Sequence, residues 1–187
     1  MIREIDYAIL DFIDELMSSP FMDWVMKFFT TLGNSGIIWI VICAILLISP
    51  KTRYIGFIAL FSLLFSLIIN DQILKNIFQR ERPFSGLDIE LLIKAPTSHS
   101  FPSGHTSSSF AAAFVFYKYF TKPYYYYTFI LASLIAFSRL YLYVHFPTDV
   151  LIGVLSGYVC SLLAIWLFNH YKEYQEKRQV ASQNEKN

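Results

Sequence analysis

Five apolar stretches, separated by short polar connections, constrain the fold of this chain more than any other feature. The first, Phe28–Ser49, runs for 22 residues without a formal charge and is long enough to cross a hydrocarbon core of roughly 30 Å as a helix. The other four are Tyr54–Asn70, Gly104–Tyr117, Tyr124–Tyr143 and Val150–Asn169. We therefore expect an all-α fold, a polytopic membrane bundle of five to six transmembrane helices.

The composition favours the same class. Hydrophobic residues make up 55% of the 187 residues, and charged residues only 16%. A soluble domain of this size could not cover so much apolar surface, whereas a domain embedded in a bilayer need not. Cys43 and Cys160 lie inside apolar stretches, and we interpret them as buried hydrophobic residues rather than as a disulfide or metal site.

The N-terminal segment Glu4–Ser18 has a different pattern. One helical face carries Ile5, Ile9, Phe12, Ile13 and Leu16, and another carries Glu4, Asp11, Asp14 and Glu15. This pattern predicts an amphipathic helix lying on the membrane surface. Since its length is only about 22 Å by helix rise, we expect that it does not cross; an alternative with six spans inserts it.

One membrane-embedded domain is expected over residues 1–171, with residues 1–27 as its amphipathic N-terminal region. The polar residues 172–187 are predicted to form a disordered tail. If five spans alternate, 7 of the 15 basic residues lie on the side opposite the tail. Three of these, Lys75, Arg82 and Arg139, are interpreted below as ligand-binding residues. Without these three, eight basic residues lie on the side of the tail and four on the opposite side. The side richer in basic residues is usually cytoplasmic, which places the C-terminus in the cytoplasm.

The connection between the second and third spans contains the first polar cluster. Lys75 and Arg82 are seven residues apart, nearly two helical turns, so we expect them on one helical stripe that ends before Pro83. Two cations in fixed register suit an oxyanion, although a basic pair at a helix end is also typical of an interfacial anchor. Arg80 and Glu81 are predicted to point elsewhere as a solvated pair.

The second cluster, Pro102-Ser103-Gly104-His105, opens the third span. Pro102 and Ser103 are helix start signals, and Gly104 allows a ligand to approach the backbone closely. The first turn of a helix offers free N–H groups and the positive end of the dipole, which together bind anions. The serines that follow, Ser107, Ser108 and Ser109, are interpreted as helix-packing residues.

The third cluster surrounds the connection between the fourth and fifth spans. Arg139 lies near the end of the fourth span, His145 in the connection, and Asp149 at the start of the fifth. Pro147 allows a helix to begin directly after His145, which brings Asp149 within reach of the imidazole. A carboxylate on one ring nitrogen leaves the other as an oriented, basic lone pair.

All three clusters fall on the same side of the membrane in this topology. Together they supply cations, a helix N-terminus, two histidines and a carboxylate, which matches phosphoryl transfer without a metal. No metal site is expected, because His99, His105 and His145 lie near several cations that would repel a divalent ion.

The sequence resembles the type 2 phosphatidic acid phosphatase superfamily. Its three-part signature is matched by Lys75-x6-Arg82-Pro83, by Pro102-Ser103-Gly104-His105 and by Ser138-Arg139-x5-His145-x3-Asp149. The resemblance implies that His145 is the nucleophile, Asp149 its orienting partner and His105 the general acid. It also implies a set of ligands for the phosphoryl oxygens: Lys75, Arg82, Ser103, Gly104 and Arg139.

The resemblance further implies a bacterial plasma-membrane phosphatase for envelope lipids, with no cofactor. Because the basic residues place the C-terminus in the cytoplasm, the three clusters are expected on the extracytoplasmic side. Expected substrates are undecaprenyl diphosphate, phosphatidylglycerophosphate or phosphatidic acid, and no protein or nucleic-acid partner is expected. His99 lies outside the signature and is interpreted as a loop residue near the head group. A non-catalytic lipid-phosphate-binding or scrambling protein is the alternative. A transporter is disfavoured because the five stretches carry no charge in mid-span.

Overall fold

The computed structural model of the protein describes residues 2–184. Helices connected by turns and one long loop account for this range, and no strand occurs in it. The α-helices are α1 Ile2–Met17, α2 Pro20–Gly33, α3 Ile37–Ile48, α4 Arg53–Ser66, α5 Lys75–Phe78, α6 Gly104–Tyr119, α7 Tyr124–Tyr141 and α8 Pro147–Asn184. The all-α prediction is confirmed for the described residues.

Helix α1 has the amphipathic pattern predicted for the N-terminal segment. Its exposed apolar residues include Phe12 and Leu16, whereas Leu10 and Ile13 are buried. Ile13 packs with Met26 of α2 and with Tyr141 and nearby residues at the end of α7, forming a small second core. One side of α1 is therefore anchored to the bundle, and the other side stays apolar and exposed.

The first predicted span is a kinked pair of helices. It begins at Pro20 rather than Phe28, because the Ser19 side chain accepts a hydrogen bond from Met22 N–H at 3.3 Å and caps α2. A 3₁₀ turn, Asn34–Gly36, separates α2 from α3, with positive φ at Ser35 (51°) and Gly36 (66°). This turn places Asn34 Oδ1 3.0 Å from His105 Nε2 at the start of α6.

The second span continues beyond its apolar stretch, as predicted. A π-helical segment, Leu67–Leu74, joins α4 to α5, and the helix ends at Phe78, where Gln79 adopts a left-handed conformation (φ 46°). The prediction that Lys75 and Arg82 share a helical stripe is therefore wrong. Pro83 disfavours helical backbone at the residue before it, so Arg82 lies in the loop.

Helix α6 occupies the centre of the bundle. Ala111, Ala112 and Ala113 are fully buried, and α8 crosses α6 closely at its glycines. A Cβ on Gly157 would lie 2.6 Å from Ser107 O, so a side chain there would push the two helices apart. Polar packing supports the same contacts: Trp39 Nε1 donates to Ser109 Oγ at 2.9 Å, as expected for a packing serine.

Three helical segments in the described range are long and apolar enough, by length and composition, to cross a membrane. They are Pro20–Ile48 (α2 and α3), Arg53–Phe78 (α4, the π-helical segment and α5) and Pro147–Asn184 (α8). The sequence predicts two more spans, which correspond to α6 and α7. Helix α6 is enclosed by other helices, and this accounts for its alanine- and serine-rich composition. A central helix needs small packing surfaces more than it needs lipophilic side chains.

The last helix is longer than predicted. With 38 residues, α8 extends to Asn184, so residues 172–184 are helical rather than disordered. This part contains Glu, Lys, Gln, Arg and Ala, which have high helix propensity, and neither Gly nor Pro. Lys172 Nζ also lies 3.7 Å from Glu176 Oε1, one turn away. The remainder of the predicted tail, residues 185–187, lies outside the described range.

Candidate active site

A cavity of about 990 Å³ opens at the end of the bundle where α6 and α8 begin. Its polar wall includes Lys75, Arg82, His105, Arg139 and His145, which come from all three predicted clusters. Its apolar wall consists of side chains from α3, α4 and the π-helical segment: Ile40, Leu60, Leu63, Leu64 and Leu67. One cavity therefore joins a cationic end to a hydrocarbon-like flank.

Three buried cations define the polar end. Lys75, Arg82 and Arg139 are 8%, 5% and 3% exposed. Lys75 Nζ pairs with Asp71 Oδ1, and Arg139 Nη1 donates to Thr30 Oγ1. Within residues 2–184, nothing accepts a hydrogen bond from the buried Nε of Arg139. Buried donors are almost always paired in native structures, so this arrangement suits an anionic ligand.

Arg82 is held in place by backbone oxygens. Its Nε donates to Ser98 O at 2.8 Å and its Nη1 to Val144 O at 2.7 Å. Burial lowers the pKa of Arg82 to about 10, against the opposing effect of Asp149 and Asp71, so the guanidinium remains charged at neutral pH. The loop that carries Arg82 is thus fixed beside the connection that carries His145.

His145 is oriented by contacts at both ring nitrogens. Nε2 lies 3.2 Å from Arg82 Nη1, while Nδ1 lies 3.6 Å from Asp149 Oδ2 and 3.4 Å from Ser100 Oγ. Arginine can only donate hydrogen bonds, so Nε2 carries the lone pair and Nδ1 the proton. The carboxylate behind Nδ1 is the partner predicted from the spacing of His145 and Asp149.

The environment of His145 keeps its imidazole neutral. Burial lowers its pKa well below the ordinary value of 6.5, and the positive charges of Arg82, Arg139 and Lys75 lower it further. A contact with Ser100 acts in the opposite direction. The lone pair on Nε2 is therefore available at neutral pH, which an attacking imidazole requires.

The N-terminus of α6 forms another side of the cavity. His105 Nε2 lies 3.0 Å from Asn34 Oδ1, across the kink between α2 and α3. Gly104 and His105 line the cavity, but Ser103 does not. Ser103 is fully buried, and its Oγ accepts hydrogen bonds from Thr106 Oγ1 at 2.9 Å and from Thr106 N–H at 3.4 Å. Its side chain caps α6 instead of facing the cavity.

Three residues at the site were missed or misassigned from the sequence. Arg80, predicted to be solvated, donates to Asp149 Oδ1 at 2.6 Å and to Asp6 Oδ2 at 2.7 Å, because the loop after Phe78 turns its side chain inward. Ser100 Oγ donates to Asp149 Oδ2 at 2.5 Å. Asp71 lines the cavity beside Gly104, where a Cβ would lie 2.8 Å from Asp71 Oδ1. The only sequence signal for a role of Asp71 is its position four residues before Lys75, which places the two side chains on one helical face.

Two further expectations concern His99 and metals. His99 is exposed in the loop, and its backbone oxygen accepts a hydrogen bond from Arg82 Nη2 at 3.4 Å. Over the described residues, no group of three or more His, Cys, Asp or Glu side chains could hold a metal ion. At the polar end of the cavity, the charged side chains of the described residues include the cations Lys75, Arg82 and Arg139, with Asp71 as the single carboxylate, a set suited to an anion.

Known proteins share both the sequence pattern and the fold. The model of the PAP2 superfamily matches residues 55–173. An undecaprenyl-diphosphatase of Sulfolobus acidocaldarius is 30% identical over 145 residues, which cover 77% of this chain and 69% of that protein. The residues that the family model matches contain all three polar clusters.

Two solved structures resemble the chain. Aquifex aeolicus LpxE superposes with a TM-score of 0.73 at 28% identity, over 85% of this chain and 93% of the other. A transmembrane PAP2-type phosphatidylglycerolphosphate phosphatase of Bacillus subtilis superposes with a TM-score of 0.70 at 30% identity, over 94% of this chain and 87% of the other. Together with the apolar helices, these matches identify the chain as an integral membrane protein that belongs to the membrane lipid phosphatases of the PAP2 superfamily.

Proposed function

We propose that this protein hydrolyses a lipid phosphate or diphosphate through a phosphohistidine formed on His145. One observation carries the proposal: the neutral, oriented Nε2 of His145 lies in the same cavity as three buried cations, and that cavity continues along an apolar wall. The cations suit the phosphoryl group, and the wall suits an acyl or prenyl chain.

In the first step, Nε2 of His145 attacks phosphorus and forms an N–P bond. The P–O bond to the leaving oxygen breaks, and His105 donates a proton to that oxygen. Lys75, Arg82, Arg139 and the N–H groups at the start of α6 stabilise the charge on the phosphoryl oxygens. Arg82 Nη1 donates to Nε2 in the structure and gives up that contact to a phosphoryl oxygen when Nε2 attacks, while its bond to Val144 O is kept.

In the second step, water attacks the phosphohistidine. His105, now unprotonated, takes the proton from that water, and the N–P bond breaks to return the lone pair to Nε2. Asp149 stabilises the positive imidazole that forms on attack, because it faces Nδ1. This route uses only side chains and backbone N–H groups, so turnover without a divalent metal is expected.

The apolar flank supports a substrate that remains in the bilayer. Ile40, Leu64 and Leu67 line the cavity and are 45%, 45% and 50% exposed, so other helices do not cover this wall. A lipid could reach the cations laterally, while its chain stays against these residues and in the membrane. By this lateral route the lipid chain never enters water, so the reaction avoids the free-energy cost of exposing hydrocarbon to water.

We further propose five spans, with α1 at the surface, the catalytic end outside and the C-terminus in the cytoplasm. Two variants, each with one added cysteine in place of Lys94 or Lys122, test this topology in intact cells. The native Cys43 and Cys160 are buried, so they should not react with the labelling reagent. A membrane-impermeant thiol reagent should label Lys94→Cys and not Lys122→Cys. Labelling of both from outside would exclude the five-span arrangement.

The activity is tested with detergent-purified protein. Phosphate release is measured from undecaprenyl diphosphate, phosphatidylglycerophosphate and phosphatidic acid, with and without EDTA. We expect release from at least one lipid, unaffected by EDTA and inhibited by vanadate, whose trigonal-bipyramidal adduct on His145 resembles the transition state. EDTA-sensitive turnover would contradict the metal-free route.

Matched histidine variants separate catalysis from binding. His145→Gln should abolish turnover, whereas His170→Gln, which replaces a histidine far along α8, should not change it. Binding of the lipid phosphates without phosphate release by the unmodified protein would instead favour a lipid-phosphate-binding or scrambling role.

A further inference from the structure

A carboxylate of the N-terminal helix is buried beside the active site. Asp6 on α1 is 1% exposed, whereas Asp11 and Asp14 on the same helix are exposed. Removing a carboxylate from water is unfavourable unless charges and hydrogen-bond donors compensate it. The compensation for Asp6 comes from the two connections that carry the catalytic residues.

Both oxygens of Asp6 are engaged. Oδ1 accepts a hydrogen bond from Thr148 N–H at 3.0 Å, at the first turn of α8. Oδ2 accepts hydrogen bonds from Thr148 Oγ1 and from Arg80 Nη2, each at 2.7 Å. Asp6 therefore fixes the start of α8 and one arm of a guanidinium at the same time.

The other arm of that guanidinium reaches Asp149. Arg80 Nη1 donates to Asp149 Oδ1 at 2.6 Å, and its guanidinium carbon lies 4.1 Å from the centre of the Phe146 ring. A planar fork with several donors can join two carboxylates in this way, whereas a lysine offers only a point charge. Arg80 is thus a bridge between α1 and the residue behind the nucleophile.

This bridge determines which oxygen of Asp149 serves His145. Because Oδ1 is occupied by Arg80, Oδ2 is the oxygen that faces Ser100 Oγ (2.5 Å) and His145 Nδ1 (3.6 Å). The Phe146 N–H also donates to Oδ2, at 2.9 Å. The carboxylate is held from both sides, and its orientation toward the imidazole depends on the position of Arg80.

The residue next to Asp6 strengthens the attachment of α1. Tyr7 OH donates to Pro83 O at 3.1 Å, and its ring meets Phe146 edge to face with centroids 5.2 Å apart. Consecutive residues of α1 thereby contact the loop that carries Arg82 and the connection that carries His145. The amphipathic helix is attached where the catalytic groups must be held in register.

We propose that Asp6 is a positioning residue for the nucleophile, acting through Arg80 and Asp149, and that α1 is part of the catalytic apparatus. This inference rests on the proposed phosphatase activity. Without the charge of Asp6, Arg80 loses its ion pair with α1 and keeps the two partners of Nη1, Thr148 Oγ1 at 2.7 Å and Asp149 Oδ1. The guanidinium is then less firmly positioned, and with it the Oδ1 side of the Asp149 carboxylate. Substrate contacts do not involve Asp6, so binding should change less than turnover.

The first test replaces Asp6 with asparagine. Asn keeps an oxygen for Thr148 N–H and caps helices as well as Asp does, so a purely structural cap predicts no loss. We expect kcat to fall about tenfold to a hundredfold, the range for losing a hydrogen bond to a charged group, with KM within about twofold. Asp14→Asn, which removes one charge from the exposed side of the same helix, should leave kcat unchanged. An unchanged kcat in Asp6→Asn overturns the proposal.

The second test approaches the bridge from Arg80. Arg80→Lys keeps the charge but cannot span both carboxylates, so it should lower kcat to a similar extent. The double variant Asp6→Asn/Arg80→Lys should be no slower than Arg80→Lys alone, because Asp6 acts through Arg80. If the kcat losses of the two single variants multiply in the double variant, Asp6 acts independently of Arg80. If Asp6→Asn does not fold, full activity of Arg80→Lys still refutes the bridge.

A measurement without turnover separates this inference from the proposed activity. In ¹⁵N NMR spectra, His145 of the unmodified protein should be mainly the Nδ1–H tautomer, with its signal assigned through His145→Gln. Arg82 keeps this tautomer in every variant, but Asp6→Asn should shift the Nδ1 resonance because the carboxylate that faces Nδ1 changes its orientation, and Asp14→Asn should not. An unmodified protein that releases no phosphate refutes the activity. An unchanged Nδ1 resonance in Asp6→Asn refutes the role of Asp6.

Discussion

Arg82 Nη1 lies 3.2 Å from His145 Nε2, on the side of the imidazole opposite Asp149. A guanidinium has no lone pair to offer, so this contact assigns the Nε2 lone pair and the Nδ1 proton. It also places a permanent positive charge beside the ring, which disfavours the imidazolium. The same arginine can thus select the tautomer and keep the nucleophile neutral.

A pH prediction follows from that contact. The pKa of His145 lies below 6.5 because of burial and of the charges on Arg82, Arg139 and Lys75, with Asp149 facing Nδ1. Activity that needs neutral His145 should persist below pH 6.5. Arg82→Gln removes one of those charges, which raises the pKa of His145 and should move the acid limb of kcat/KM to higher pH. The exposed Lys122→Gln should not move it, and an acid limb that moves to lower pH in Arg82→Gln contradicts this account.

Ser100 is predicted to contribute to turnover. Its Oγ donates to Asp149 Oδ2 at 2.5 Å and lies 3.4 Å from His145 Nδ1, so it connects the carboxylate to the ring. Ser100→Ala should lower kcat about tenfold, as expected for losing a hydrogen bond to a charged group, with little change in KM. Ser62→Ala provides the control, because Ser62 is equally buried but donates to Ala59 O inside α4. Equal losses in the two variants would mean that packing, not this hydrogen bond, explains the effect.

Asp71 is predicted to compete with the substrate. It pairs with Lys75, and its carboxylate lies against Gly104, where the N–H groups of α6 would meet a phosphoryl oxygen. Asp71→Asn removes a negative charge from the anion site, so vanadate should inhibit about threefold to tenfold more tightly. Asp88→Asn, in the exposed loop, should leave inhibition unchanged. Weaker inhibition in Asp71→Asn would show instead that Asp71 is needed to hold Lys75.

The sequence predicted the local features of this protein better than its long-range contacts. Helix positions follow from the apolar runs, which act within one or two turns. His145 and Asp149 meet because four residues make one turn of α8. Residues of all three clusters line one cavity, as the alternation of spans requires.

The misassignments arose where contacts join distant parts of the chain. Asp6 and Arg80 are 74 positions apart, and no periodicity encodes their pairing. The sequence pattern predicts a solvated Arg80, because a continuous helix would point it away from Lys75. The helix ends at Phe78, and the reversal at Gln79 turns Arg80 inward. The amphipathic pattern likewise predicted a polar face on α1, but Asp6 lies outside that face, on the buried side with Leu10 and Ile13, and no sequence signal indicated a partner for it there.

The apolar wall of the cavity gives the last prediction, which concerns the lipid chain. Leu64 on α4 lines the cavity and is 45% exposed, so it lies at the opening through which a chain would remain in the bilayer. Leu64→Trp narrows that opening without touching the cations. KM for a long-chain lipid phosphate should rise about fivefold to tenfold, within the range for a mismatch in an apolar pocket, while KM for a short, water-soluble phosphate ester should not change. Leu155→Trp, at an exposed position on α8, is the matched control and should affect neither substrate. An equal rise of KM for both substrates in Leu64→Trp would mean that the phosphate site was disturbed, and no rise for either would mean that the chain does not pass Leu64.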